Sequence, residues 1–200
     1  MNIFLTSQAS KVLDKIVPML SKPASELKLA FIPTAGDPYD EKPWMDKDRA
    51  KLVELGFQIE DFDLKNKTED ETRERLAKFD IIFVAGGNTF YLLEKVKKSG
   101  FDKVAIELVK SGTVYIGSSA GSYILCPTIE AASWKKAGKN IVDLKDWSAL
   151  GLVDFIVSAH YTNEWKEAIE AGKKSTDLEV ITLTDEQFIK SDGDKYEIIG

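Results

Sequence analysis

Val114-Tyr115-Ile116-Gly117-Ser118-Ser119-Ala120-Gly121-Ser122 reads as a short strand, a tight turn and the start of a helix. The β-branched and aromatic run ends in Gly-x-Ser-x-Gly, the pattern of a nucleophile elbow. In such a turn the central residue is strained and projects outward. Gly117 and Gly121 suit it, because a Cβ at either place would collide with the neighbouring strand or helix. Ser119 would then stand at a helix N-terminus, with backbone N–H groups free to stabilise an oxyanion.

Outward from the elbow, strand-like and helix-like segments alternate. Strands are expected at Asn2–Thr6, Leu27–Pro33, Phe57–Phe62, Asp80–Ala85, Thr113–Ile116, Phe155–His160 and Leu178–Leu183. Helices are expected at Ala9–Leu20, Asp46–Leu55, Glu69–Lys78, Phe90–Lys98, Asp102–Lys110 and Glu164–Lys173. This order predicts an α/β fold with a mainly parallel sheet and helices on both faces. Gln187–Ser191 and Lys195–Ile199, separated by Ser191-Asp192-Gly193-Asp194, read instead as an antiparallel hairpin at an edge. Ser133–Asp146 is the least regular segment and is expected to form a loop beside the site. No repeat, low-complexity tract or linker divides the chain, so residues 1–200 are read as one domain.

A serine is a weak nucleophile until a base takes its proton. The chain has one histidine, His160, at the C-terminal end of the Phe155–His160 run. Sites in open parallel sheets form at the carboxyl ends of strands, so Ser119 and His160 are expected at one edge of one sheet. A third residue must orient the imidazole. Asp143, Asp146 and Asp154 lie between serine and histidine, the order of α/β-hydrolases. Asp185 and Glu186 lie after it, at the end of the Leu178–Leu183 strand. That position favours Asp185, with Glu186 next. Gly86-Gly87-Asn88-Thr89-Phe90 follows another strand, and its N–H groups could form half of an oxyanion hole with Ala120 N–H as the other half. Neither Gly-x-Gly-x-x-Gly nor Gly-Lys-Ser/Thr follows there, so no dinucleotide or phosphate loop is read. Tyr39, Trp44, Tyr161 and Trp165 cluster near strand ends and are candidate lining residues.

Composition narrows the classes. Net charge is −6, with acidic and basic residues interspersed, which argues against a nucleic-acid partner. No apolar run is long enough to span a bilayer, and Met1–Ser7 reads as a first strand rather than a signal peptide. The single cysteine, Cys126, cannot form an internal disulfide and is expected to be packed and unreactive. These features point to the cytoplasm. One Cys and one His make no zinc cluster, and no cofactor is called for.

Ala85-Gly86-Gly87-Asn88-Thr89-Phe90, Gly117-Ser118-Ser119-Ala120-Gly121-Ser122, Cys126-Pro127-Thr128 and Ala159-His160-Tyr161 together resemble the serine peptidase family of dipeptidase E and cyanophycinase. The resemblance runs from Asn2 to about the C-terminus. It implies a three-layer sandwich of the flavodoxin-like or class I glutamine amidotransferase-like kind. It also implies Ser119 as nucleophile, His160 as base, an acid after the histidine at Asp185 or Glu186, and Gly87 and Ala120 in the oxyanion hole, with Asn88 beside them toward substrate. The implied activity is hydrolysis of short peptides at the N-terminal residue, as an exopeptidase or dipeptidase, with a small peptide as partner. An esterase or amidase on other small molecules, and a non-catalytic binding domain, are the alternatives. A homodimer is the remaining candidate assembly. In dipeptidase E an arginine after the histidine holds an N-terminal aspartate. Here arginine occurs only at 49, 73 and 75, and Lys166, Lys173 and Lys174 are the cations on that side.

Overall fold

Alternation within each strand sets the layers. In a computed structural model, which describes residues 1–135 and 138–200, the elements are β1 (Asn2–Thr6), α1 (Leu13–Ile16), β2 (Lys28–Ile32), α2 (Pro43–Glu54), β3 (Gln58–Asp61) and α3 (Glu69–Leu76). There follow β4 (Ile81–Val84), α4 (Thr89–Lys98), α5 (Phe101–Lys110), β5 (Val114–Ser118), α6 (Ala120–Tyr123) and α7 (Ala131–Trp134). The chain continues through β6 (Ile156–Ser158), α8 (Lys166–Lys173), β7 (Val180–Thr182), β8 (Phe188–Ser191) and β9 (Tyr196–Ile199).

The main sheet has seven strands in the order β3-β2-β4-β5-β1-β8-β9. The first five are parallel, and the β8–β9 hairpin adds antiparallel to β1. Successive side chains of a strand point to opposite faces. Thus Ile3, Leu5, Ala30, Ile32, Ile82, Val84 and Tyr115 enter one core, with Leu92 and Val96 of α4 and Val104 and Val109 of α5. Phe4, Leu29, Phe31, Ile81, Phe83 and Ile116 enter the other, with Leu13 and Ile16 of α1 and Leu52 of α2. Both faces are covered, which is why the central strands are apolar throughout rather than alternating. The result is the helix–sheet–helix sandwich expected from the alternation.

Two expectations are corrected. The helix expected over Ala9–Leu20 is broken into a 3-10 turn at Ala9–Lys11, the single α-turn α1 and a second 3-10 turn at Val17–Met19. Pro18 has no N–H to donate to the turn before it, so the apolar periodicity cannot be carried by one α-helix. The strands at the histidine do not join the main sheet. β6 and β7 pair with each other, in parallel, as a separate two-stranded sheet. Ser119 and His160 therefore come from different sheets.

The second sheet is tied to the first through buried polar contacts. Cys126 Sγ accepts the Val157 N–H at 3.3 Å and the Tyr123 hydroxyl accepts the Ala159 N–H at 3.1 Å. Burial pushes the Cys126 thiol up to about 12, so it stays protonated and unreactive. No helix among the described residues is long and apolar enough to cross a membrane.

Candidate active site

The elbow forms where β5 meets α6. Ser119 sits at φ 48° and ψ −105°, a left-handed conformation that costs a non-glycine residue about 1–3 kcal/mol. Its neighbours hold it there. A Cβ on Gly117 would meet the Gly121 backbone, and one on Gly121 would meet the Val84 backbone of β4. The Ser119 N–H donates to the Thr6 carbonyl at 3.0 Å, and Ser122 Oγ donates to the Thr6 and Gly117 carbonyls, both at 2.8 Å. Tyr115 Oη donates to the Gly121 carbonyl at 2.7 Å from within the core. The strain is thus over-determined by buried hydrogen bonds on both sides of the serine.

His160 lies one residue past Ala159 at the end of β6, itself at φ 56°. Its Nε2 is 2.9 Å from Ser119 Oγ, and its Nδ1 is 2.7 Å from Asp185 Oδ1. A carboxylate can only accept, so Nδ1–H donates to Asp185 and Nε2 is left to accept the Ser119 hydroxyl. Asp185 lies three residues past β7. Burial works to raise its pKa, but the Ser7 hydroxyl and the His160 ring outweigh burial and hold the carboxyl below its ordinary value.

Among the sequence candidates for the acid, only Asp185 reaches the histidine. Glu186 turns away and pairs with Lys11 at 2.7 Å. Asp146 pairs with Lys97 at 2.7 Å, and Asp143 pairs with Lys145. Asp154 is exposed and outside the cleft. The hydrolase-like order of Ser, acid, His is therefore not the one this chain adopts in space.

Gly87 has φ 151°, and a Cβ there would run into the Ala35 carbonyl, so only glycine fits the turn. Gly86 packs against Ser119, and Gly86 and Gly87 both line the cleft. Among the described residues the N–H groups of Gly87 and Ala120 have no protein acceptor. Asn88 has a different task from the one expected. Its Oδ1 accepts the Tyr91 N–H at 2.9 Å as the N-cap of α4, and its Nδ2 donates to the Lys139 carbonyl at 2.9 Å. Both ends of the amide are engaged, and Asn88 does not line the cleft.

The cleft around Ser119 and His160 holds about 460 Å³. Tyr39, Trp44 and Trp165 line it; Tyr161 does not. Tyr39 and Trp44 meet edge to face at 5.1 Å, and the Trp44 indole N–H donates to the Gly86 carbonyl at 3.0 Å. Lys166, Lys173 and Lys174 lie away from the cleft, and Lys173 pairs with Glu170 at 2.9 Å.

Three polar residues of the site carry no sequence signal. Ser7, fully buried just past β1, donates to Asp185 Oδ1 at 2.7 Å while its oxygen accepts the His160 N–H at 2.7 Å. Asp48 of α2 lines the cleft, and burial pushes its carboxyl up, partly offset by the Ser10 N–H, which donates to Oδ1 at 2.8 Å. Lys135 also lines the cleft, and its ammonium donates to the Ala159 carbonyl. Burial pushes the lysine down to about 8, against the attraction of Asp185. The irregular segment Ser133–Asp146 does reach the cleft, through Lys135 and Gly138; residues 136 and 137 lie outside the described residues. A serine after a strand, an aspartate in a charged helix and a lysine in an irregular segment are each ordinary in sequence. Only long-range contacts distinguish them.

Comparison with known proteins shows the family and the fold. A sequence model of peptidase family S51 matches residues 3–199. An uncharacterized peptidase of Listeria monocytogenes is 36% identical over 165 residues, covering 81% of this chain and 78% of that protein. Peptidase E of Salmonella arizonae is 32% identical over 156 residues, covering 78% of this chain and 65% of its own length. A Listeria monocytogenes crystal structure, whose peptidase E assignment is provisional, superposes with a TM-score of 0.87 at 31% identity, covering 99% of this chain and 97% of that one. A peptidase from an acI-B1 actinobacterium shares the fold at 15% identity, with a TM-score of 0.67.

Proposed function

The chain belongs to peptidase family S51 and is a peptidase, and from that premise we propose that it hydrolyses short peptides through Ser119, His160 and Asp185 by way of an acyl-enzyme. The observation that carries this reading is the unbroken line of hydrogen bonds from a strained Ser119 through His160 to Asp185, open to a cleft of peptide size.

Ser119 Oγ attacks the scissile carbonyl carbon while His160 Nε2 takes its proton. Asp185 accepts from Nδ1–H throughout, which fixes the tautomer and stabilises the imidazolium. The N–H groups of Gly87 and Ala120 hold the oxyanion. When the tetrahedral adduct collapses, the C–N bond breaks and the imidazolium gives its proton to the leaving amine. Water then enters, loses a proton to His160 and attacks the acyl carbon. Collapse of this second adduct returns the proton to Ser119 Oγ and releases a carboxylic product. The lone, buried thiol suits work in a reducing compartment, the cytoplasm.

A fluorophosphonate probe followed by mass spectrometry of the adduct tests the reading. Labelling at Ser119 that disappears in His160→Ala, with hydrolysis of dipeptides and tripeptides by the wild type, is the expected result. An unlabelled wild-type serine would overturn it. A kcat/KM for simple esters that far exceeds that for every peptide tried would move the assignment to an esterase.

A further inference from the structure

Two glycines in succession leave the peptide unit between them with little steric restraint, because neither flanking residue has a Cβ. The Gly86–Gly87 peptide is such a unit, and its N–H is the Gly87 donor of the oxyanion hole read above. A trans peptide is planar, with its C=O and N–H on opposite sides. Whatever holds the Gly86 carbonyl therefore sets where the Gly87 N–H points. If the unit turned over, the carbonyl oxygen would take the donor's place and repel an oxyanion.

The backbone is anchored on both sides of this unit. The Ala85 N–H donates to the Ile32 carbonyl at 3.1 Å, and the Asn88 N–H donates to the Ala35 carbonyl at 2.8 Å. Between these anchors the peptide has one hydrogen-bond partner among the described residues, and it is a side chain. The Trp44 indole N–H donates to the Gly86 carbonyl at 3.0 Å, and no other donor reaches that oxygen. A Cβ on Gly86 would stand 3.3 Å from Ser119 Cβ and 3.6 Å from Trp44 Cδ1, so the unit begins against both the nucleophile and the indole. Trp44 is itself held. It occupies the first turn of α2, packs against the core that contains Phe31 and Phe83, and meets Tyr39 edge to face at 5.1 Å.

We propose that Trp44 is a positioning residue for the oxyanion hole: its indole N–H fixes the Gly86–Gly87 peptide with the Gly87 N–H toward the carbonyl oxygen of the bond that Ser119 attacks. This rests on the serine-peptidase reading above. Trp44 donates nothing to the reacting atoms and acts through the peptide plane. A donor aimed before substrate arrives needs no reorganisation at the transition state, which is the source of an oxyanion hole's effect. Trp44 also lines the cleft, so the test must separate a lock on the peptide from a wall for the substrate.

Trp44→Phe keeps an aromatic ring in the wall and removes the donor. On the best-cleaved member of a dipeptide and tripeptide panel, kcat is expected to fall by about tenfold with KM within about twofold of wild type. The loss is smaller than the roughly 10²–10³-fold of removing an oxyanion donor outright, because the bond biases the peptide plane and does not supply the N–H. Two inhibitors built on the acyl part of that peptide, its aldehyde and its alcohol, read the oxyanion directly. Ser119 Oγ adds to the aldehyde carbon, its proton passes to His160, and the aldehyde oxygen becomes the oxyanion. The alcohol has nearly the same outline and cannot be attacked. The aldehyde is expected to bind Trp44→Phe about tenfold more weakly than wild type, and the alcohol to bind both alike. Equal weakening of the two inhibitors, or a raised KM at constant kcat, would overturn the proposal and leave Trp44 as a wall of the cleft. Should Trp44→Phe fail to fold, 3-benzothienylalanine at position 44 keeps the outline of the indole and replaces only its N–H, by sulfur. Wild-type kcat and aldehyde affinity in that protein would overturn the proposal equally. Failure of the serine-peptidase reading is distinct, because wild-type Ser119 would then escape fluorophosphonate labelling.

Discussion

At the scale of single residues, hydrogen-bond geometry separates residues of like chemistry. Asp185 and Glu186 are neighbours of the same chemical type, but only Asp185 lies at His160 Nδ1, while Glu186 holds Lys11 at the surface. Asp185→Asn should therefore lower kcat by about 10²–10⁴-fold, the usual weight of positioned acid–base catalysis. Glu186→Gln should leave kcat within about twofold, since an exposed ion pair contributes little. Steady-state kinetics on one peptide compares the two directly, and an equal loss in both would contradict the assignment. Ser7 acts through others: it positions the carboxylate and the histidine backbone at once. Ser7→Ala leaves the His160 N–H without that acceptor and Asp185 with His160 Nδ1–H but without its hydroxyl donor, so stability should fall by about 1–3 kcal/mol in urea unfolding. Its kcat should fall with KM little changed, and that split separates a positioning role from a structural one. Ser119 and His160 were legible because their residue types are scarce in context: one elbow serine and one histidine. Ser7 was not, because nothing near it in sequence sets it apart from any serine after a strand.

At the scale of elements, the strand-to-helix turn of β5 and α6 is the least tolerant piece of the fold. The main-sheet strands, α3, α4 and α5 lie within a few residues of where hydrophobic periodicity and turn residues place them. α3 even carries a capping box, with Thr68 and Glu71 exchanging bonds at its start. These elements were legible because helix and strand periods are local properties. Ala9–Leu20 was misread because an apolar stripe at helical spacing does not reveal where a proline removes the N–H the helix needs. Within the elbow, Gly121→Ala should bring a Cβ onto the Val84 backbone of β4, which cannot yield as a side chain would. Overpacking of this kind costs about 1–3 kcal/mol or more. We expect a lower Tm, together with loss of fluorophosphonate labelling, because relief of the clash must move Ser119. A variant that keeps both wild-type stability and labelling would show that α6 can shift without cost.

At the scale of the whole molecule, the site exists only where the seven-stranded sheet, the two-stranded sheet and the approach of α2 and Lys135 meet. Lys135 reports on that closure. Burial holds its pKa near 8, below its ordinary value of 10.5. Below pH 8 the folded and unfolded states both carry the proton, and the buried charge weakens the fold. Between pH 8 and 10.5 the unfolded chain binds the proton and the folded one does not, so stability rises with pH across that window. Denaturant unfolding of wild type and Lys135→Met should therefore differ with pH: the variant's advantage should be greatest below pH 8 and shrink toward pH 10.5. A constant difference would place the ammonium in solvent. The sequence by itself determined the parallel α/β sandwich, the family, the elbow serine and its histidine, because periodicity, glycine requirements and rare residue types are written in short stretches of chain. Only the tertiary structure decided that the histidine comes from a second sheet, that Asp185 rather than Glu186 lies at its Nδ1, and that Ser7, Asp48 and Lys135 line the same cleft. The reason is physical: strand pairing and the aim of a polar side chain depend on groups far away in sequence, and no local pattern of residues encodes which distant partner satisfies them.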